Sequence, residues 1–141
     1  MRYTRYVAAI MIVMSAAAVR GAAPQARDNA ETVMVTLHAK AGAEADLARV
    51  IAKHWEAVHR LNLVRDTPHV TLRGRDNGHT FFVEIFTWRD ADIPDNAPAE
   101  IQGIWAEMNA LVEKRGEREG LEITEVSLLP AADPAKRRSP D

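Results

Sequence analysis

The stretch Thr80-Phe81-Phe82-Val83-Glu84-Ile85-Phe86-Thr87-Trp88-Arg89-Asp90 reads as one β-strand that is bulky on both sides. Phe81, Val83, Ile85 and Thr87 point one way; Phe82, Glu84, Phe86 and Trp88 point the other. A strand with apolar residues on both faces has to be covered on both faces. Just upstream, Asp76-Asn77-Gly78-His79 contains Asn-Gly, which suits a two-residue type I′ turn because both central residues need positive φ. With Asn77 and Gly78 as the loop, counting back pairs Gly74 with Phe81, Leu72 with Val83 and Val70 with Ile85 on one face. Arg73, Thr71 and His69 then pair with Phe82, Glu84 and Phe86 on the other. The first set carries no charge, and a slip of one residue would scramble it.

The rest of the chain falls into place around this hairpin. Thr32 to Lys40 alternates, with Val33, Val35, Leu37 and Ala39 on one side and Met34, Thr36, His38 and Lys40 on the other, which predicts a first strand. Ala41-Gly42-Ala43 breaks it. From Glu44 to about Asn62, Leu47, Val50, Ile51, His54, Trp55, Val58 and Leu61 recur at spacings of three and four, the buried stripe of a helix. Asp66-Thr67-Pro68 closes the connection to a second strand, His69 to Arg75. After the third strand, Pro98 opens a second helix that runs to about Lys114, with Ile101, Ile104, Trp105, Met108, Leu111 and Val112 as its stripe. Leu121 to Leu129 reads as a fourth strand, and a change of phase between Ile123 and Val126 predicts a bulge in it.

This order, βαββαβ, is the split arrangement of an α+β, ferredoxin-like antiparallel sheet with two helices on one face. Strands one and three are its centre. The helix side is expected to take Val33, Val35, Leu37, Val70, Leu72, Phe81, Val83 and Ile85. The outer face keeps Phe82, Glu84, Phe86 and Trp88, with Met34 and, as a further candidate from strand four, Val126 or Leu128. Burying an aromatic ring of this kind is worth about 2–3 kcal/mol, and no element of the chain is left to cover the outer set. A homodimer packed sheet on sheet is therefore expected, with Phe82, Glu84 and Phe86 in its interface.

The two ends have a different composition. Arg2 and Arg5 precede an apolar run from Tyr6 to Val19, followed by Gly21, Ala22, Ala23 and Ala26, the order of a secretory signal peptide over residues 1–26. An uncleaved anchor is the other reading of the same run, although it is short of the roughly 20 apolar residues a span needs. Export to the periplasm or beyond follows, with no membrane contact after cleavage. One domain is expected over residues 30–129, followed by a loose Pro-, Ala- and Lys-Arg-rich tail over 130–141. Three of the 18 basic residues leave with the leader and all 20 acidic ones stay, giving a processed charge of about −5. That balance argues against a nucleic-acid partner. The absence of Cys excludes disulfides, thiol chemistry and lipoprotein attachment.

Val33 to Val50 (Val-Met-Val-Thr-Leu-His-Ala-Lys-Ala-Gly-Ala-Glu-Ala-Asp-Leu-Ala-Arg-Val), with Phe82-Val83 and Trp88-Arg89-Asp90, resembles the antibiotic-biosynthesis-monooxygenase (ABM) family of the dimeric α+β barrel superfamily. The resemblance spans about Thr32 to Leu129. It implies a homodimeric barrel with a small-molecule cleft between sheet and helices. It also implies an activity that ranges across members from cofactor-independent oxygenation of aromatic polyketides to haem degradation. Trp88 matches the family's strand-three Trp. The Asn that haem-degrading members carry on strand one is missing near Val35, and residues 99–114 contain no His, so the resemblance does not extend to haem. Strict alternation places Trp88 on the outer face, whereas the resemblance places it in the cleft.

His54 is the residue with most chemical potential. It lies mid-stripe on the first helix, aimed at the core, where an imidazole serves either as base or ligand or as a hydrogen-bonded core side chain. Trp55, Trp88, Trp105 and Met108 are the expected pocket walls, with His54 as proton acceptor. His38, His69 and Glu84 fall together on the outer face, but the two histidines are about 13 Å apart along the sheet, while one ion needs ligands at about 2.1 Å. No metal is expected there, and Glu84 is expected to pair with Arg73 or with a partner subunit. Asp90, Asp92 and Asp95 read as turn and cap residues rather than cation ligands. No nucleophile elbow, phosphate loop or dinucleotide fingerprint is present, and no cofactor is implied. Two functions stand: an exported ABM-like dimer that binds a small apolar or aromatic molecule, with cofactor-free oxygenation as its chemistry, or a non-catalytic binding or assembly module of the same fold.

Overall fold

Glu31–His38 forms the central strand β1 of the computed structural model, which describes residues 28–130. The expected leader and residues 131–141 of the tail lie outside the described residues. Helix α1 (Glu44–Arg60) follows, then β2 (Val64–Asp76), β3 (His79–Trp88), a single 3-10 turn (Pro94–Asn96), α2 (Ala99–Leu111) and β4 (Leu121–Glu125). The sheet is antiparallel in the order β2-β3-β1-β4, so β1 and β3 are central, as the element order required. Among the described residues no helix is long and apolar enough to cross a membrane.

The hairpin has the register that its turn dictates. Gly74 pairs with Phe81, Leu72 with Val83, Val70 with Ile85, and Arg73, Thr71 and His69 with Phe82, Glu84 and Phe86. Asn77 and Gly78 both have positive φ, at 48° and 82°. β2 starts earlier than expected, at Val64, and crosses Asp66-Thr67-Pro68 as an irregularity between Val64 and His69. β4 is shorter than expected. It pairs with β1 in unbroken register from Leu121 to Glu125, so the expected bulge is not there.

The assignment of the two sheet faces has to be corrected. Val33, Val35 and Leu37 of β1 stand opposite Phe86, Glu84 and Phe82 of β3. The helices therefore cover Phe82, Glu84, Phe86 and Trp88, all buried within the one chain, and these residues are not a dimer interface. Phe82, Phe86 and Trp88 are thus in the core with Leu47, Ile51 and Val58 of α1 and Ile101, Ile104 and Met108 of α2. That choice removes more apolar area from water than burying Phe81, Val83 and Ile85 would. The open face is made by Met34, Thr36, Val70, Leu72, Phe81, Val83 and Ile85. Val70 and Leu72 are 40% and 53% exposed. Phe81 lies over Gly74 so closely that an added Cβ would sit 2.3 Å from its ring.

The helices hold to one another by charge at their exposed edges. Lys53 Nζ donates to Glu107 at 2.7 Å, and Arg60 to Glu100 at 2.5 Å. Acidic residues occupy the first turn of α1 and basic ones its last, matching the helix dipole.

Candidate functional site

On α1, His54 follows Leu47 and Ile51 on the buried stripe and is 3% exposed. A helix turns each side chain about 100° from the last, so His54 and its neighbour Trp55 point different ways. His54 faces β3 and α2. Its ring lies 5.6 Å from Phe86, 6.3 Å from Trp88 and 6.5 Å from Trp105, centroid to centroid. Trp105, from α2, donates its indole N–H to His54 Nε2 at 3.2 Å. An indole N–H can only donate, so Nε2 carries the lone pair and the ring proton is assigned to Nδ1.

Nδ1 faces Glu84. The separation to Oε2 is 3.5 Å, and the carboxylate is 1% exposed. Its other oxygen, Oε1, lies 3.6 Å from Nε2 of His69. Both contacts are longer than good hydrogen bonds, and His54 Nδ1 and Glu84 Oε1 are without a hydrogen-bond partner. His69 is held in turn by Trp55, whose ring stacks on it at 3.5 Å with 4° between the planes. Glu84 therefore stands between two imidazoles. The expected pairing with Arg73 does not form; the Arg73 guanidinium instead lies 6.0 Å over the Phe82 ring.

Beside this pair lies a cavity of about 560 Å3, bounded by β1, β3, β4, α2, the loop after β3 and, through His54, α1. His54, Glu84, Phe86, Trp88, Trp105 and Met108 line it, with Val33, Val35, Leu121 and Ile123 completing its apolar wall and Glu31, Asp95, Asn109 and Glu125 among its remaining polar lining. Of the expected wall residues, Trp88, Trp105 and Met108 are present. Trp55 is not; it supports His69 outside the cavity. The conflict over Trp88 resolves toward the helix side, with no bulge needed, because the whole even-numbered face of β3 points there. Glu84, expected in an interface, belongs to the cavity. The signal for it was a single carboxylate in a strand with no wet face.

His38 is not on this face. It pairs with Phe81 on the open side and lies 3.6 Å from Glu122. The expected His38–His69–Glu84 cluster is therefore split by the sheet. Among the described residues no three His, Cys, Asp or Glu side chains converge to hold a metal ion.

No protein-family model and no characterised protein matches the sequence. Solved structures do share its fold. SnoaB, a cofactor-independent oxygenase from Streptomyces nogalater, is 20% identical over 73% of this chain and 96% of its own, with a TM-score of 0.55. Rv0793 from Mycobacterium tuberculosis is 13% identical over 74% and 99%, with a TM-score of 0.53. A putative antibiotic biosynthesis monooxygenase from Bacteroides thetaiotaomicron is 14% identical over 74% and 95%, with a TM-score of 0.52. The chain has the ABM fold. Identities this low speak to architecture alone. Within the ABM fold, the cavity between sheet and helices is where the resemblance placed a cleft, and in this chain the His54–Glu84 pair lines it.

Proposed function

We propose that this chain is an exported, homodimeric ABM-fold protein that binds a small aromatic molecule between its sheet and its helices and oxygenates it without a cofactor. One observation carries the reading: a buried imidazole–carboxylate pair opens into a cavity walled by Phe86, Trp88 and Trp105. Aromatic walls take up a flat apolar ligand, and a few convergent polar groups orient it. A phenol entering the cavity competes with the Trp105 N–H for His54 Nε2. His54 then accepts the phenolic proton, and Glu84, facing Nδ1, stabilises the imidazolium that results. The phenolate of an extended, electron-rich ring system can give an electron to O2 itself, so the substrate is of that class. One oxygen atom enters the ring as a quinone oxygen and the other leaves as water, so that phenol plus O2 gives quinone plus H2O.

The dimer is supported by the apolar strip that Met34, Val70, Leu72, Phe81, Val83 and Ile85 leave uncovered on the open face. The order of residues in the leader supports export. A non-catalytic binding module is the second reading, favoured by the Trp105 N–H already occupying the one basic nitrogen of His54.

Oxygen consumption with a panel of phenols and quinols separates the two. The enzyme reading expects uptake that falls at least about a hundredfold in His54→Ala, as for loss of a general base, and substantially in Glu84→Gln. Uptake that survives His54→Ala, or silence across the panel while ligands still bind, favours the module.

A further inference from the structure

Apart from His54 and the neutral Asn109, the polar side chains of the cavity are all carboxylates. Glu84 is at its floor, and Glu31, Asp95 and Glu125 are also among its lining residues; no Lys or Arg lines it. None of Glu31, Asp95 and Glu125 has a Lys or Arg partner among the described residues. Glu84 is buried with Oε1 unpartnered, and among the described residues its ionisable side-chain contacts within 4 Å are His54 and His69. Next to it stand the faces and edges of Phe86, Trp88 and Trp105, with Trp88 packed edge-on to both of the others, at 5.0 Å and 6.4 Å between centroids.

We infer that the ligand of this cavity is an arylalkylamine, its amine on a saturated carbon and so protonated at neutral pH, that binds as its ammonium ion with the ring against the Trp and Phe walls and the charged nitrogen directed to Glu84. The inference rests on the reading of the cavity as a ligand site and adds the charge of what fills it. The physical grounds are two. Ring quadrupoles attract a cation, and do so more strongly when water is excluded. A buried carboxylate lacking a full set of partners gains most from a ligand that brings donors and positive charge. A ligand that arrives already anionic meets the opposite: it brings a second negative charge beside Glu84, with no Lys or Arg in the lining to receive it and no proton of its own to give His54. His54 Nε2 is compatible with an ammonium ligand, since it already acts as an acceptor.

Calorimetric titration of the processed protein with three matched probes tests this: 2-naphthylmethylamine, 2-naphthalenemethanol and 2-naphthoate. The amine is expected to bind at least about tenfold tighter than the alcohol, a difference of about 1.4 kcal/mol, and the carboxylate not at all at millimolar concentration. Glu84→Gln is expected to bring the amine down to the level of the alcohol. Should Glu84→Gln fail to fold by circular dichroism, the variant Glu31→Gln/Asp95→Asn/Glu125→Gln is the alternative. It alters only partly or fully exposed carboxylates and should lower the amine's affinity, and its salt dependence, relative to the alcohol's. Equal binding of all three probes overturns the inference and leaves the cavity as a ligand site. Preferred binding of the carboxylate, or an amine preference unmoved by these substitutions, also overturns it. Failure of all three to bind overturns the inference and the ligand-site reading together.

Discussion

Phe86→Ala is expected to destabilise the domain by about 3–5 kcal/mol, the range for deleting a buried aromatic ring from a core. Phe86 is 1% exposed and packs on His54 and Trp88, so its loss opens a hole beneath α1 that the two helices cannot collapse into without moving the site. Domains of this size have about 5–15 kcal/mol of stability in total, and each kcal/mol is worth about 4–8 °C in Tm. The variant should therefore melt at least about 12 °C below the parent, or fail to accumulate. Phe81→Ala is the control. Phe81 is on the open face over Gly74, and its truncation should cost clearly less in a folded monomer. Thermal melts of the two variants give the face assignment directly. A larger loss for Phe81→Ala than for Phe86→Ala would return Phe86 to the outside.

The second large effect concerns association. Ile85 is at the middle of the open face, paired with Met34 on one side and Val70 on the other. In a sheet-on-sheet dimer, Ile85→Asp places an unpaired carboxylate in an apolar interface. A penalty of several kcal/mol follows, enough to weaken dimerisation about a thousandfold. Sedimentation at tens of micromolar should find the parent as a dimer and Ile85→Asp as a folded monomer. A parent that sediments as a monomer removes the dimer and leaves the cavity, which is built within one chain, unaffected.

These two variants test opposite faces of one strand, which is where reading the residues alone reached its limit. The hairpin register was legible because Asn77-Gly78 permits few ways to close. α1 was legible because Leu47, Ile51, His54 and Val58 keep one helical face. The order of the elements gave the strand order. What alternation could not decide is which face of β3 meets the inner face of β1, since both faces carry bulky apolar residues. Sorting by charge put the set containing Glu84 outside. In the core Glu84 has His54 and His69 beside its two oxygens, at 3.5 and 3.6 Å. A lone carboxylate in a strand without a wet face and a lone imidazole in a helix's buried stripe answer each other. Read as a pair, they would have located the cavity. Trp55 misled for a simpler reason: adjacent helix residues cannot share a direction, and His54 already claimed the cavity.

The most direct measurement uses the chain's three tryptophans, Trp55, Trp88 and Trp105. Two line the cavity and one does not. The indole N–H signals of 15N-labelled protein, assigned by Trp→Phe variants, should be followed during titration with 2-naphthalenemethanol. Trp88 and Trp105 are expected to shift together and saturably, with Trp55 unmoved. Saturable shifts confined to Trp55, or spread equally over all three, would contradict the placement of the ligand between sheet and helices.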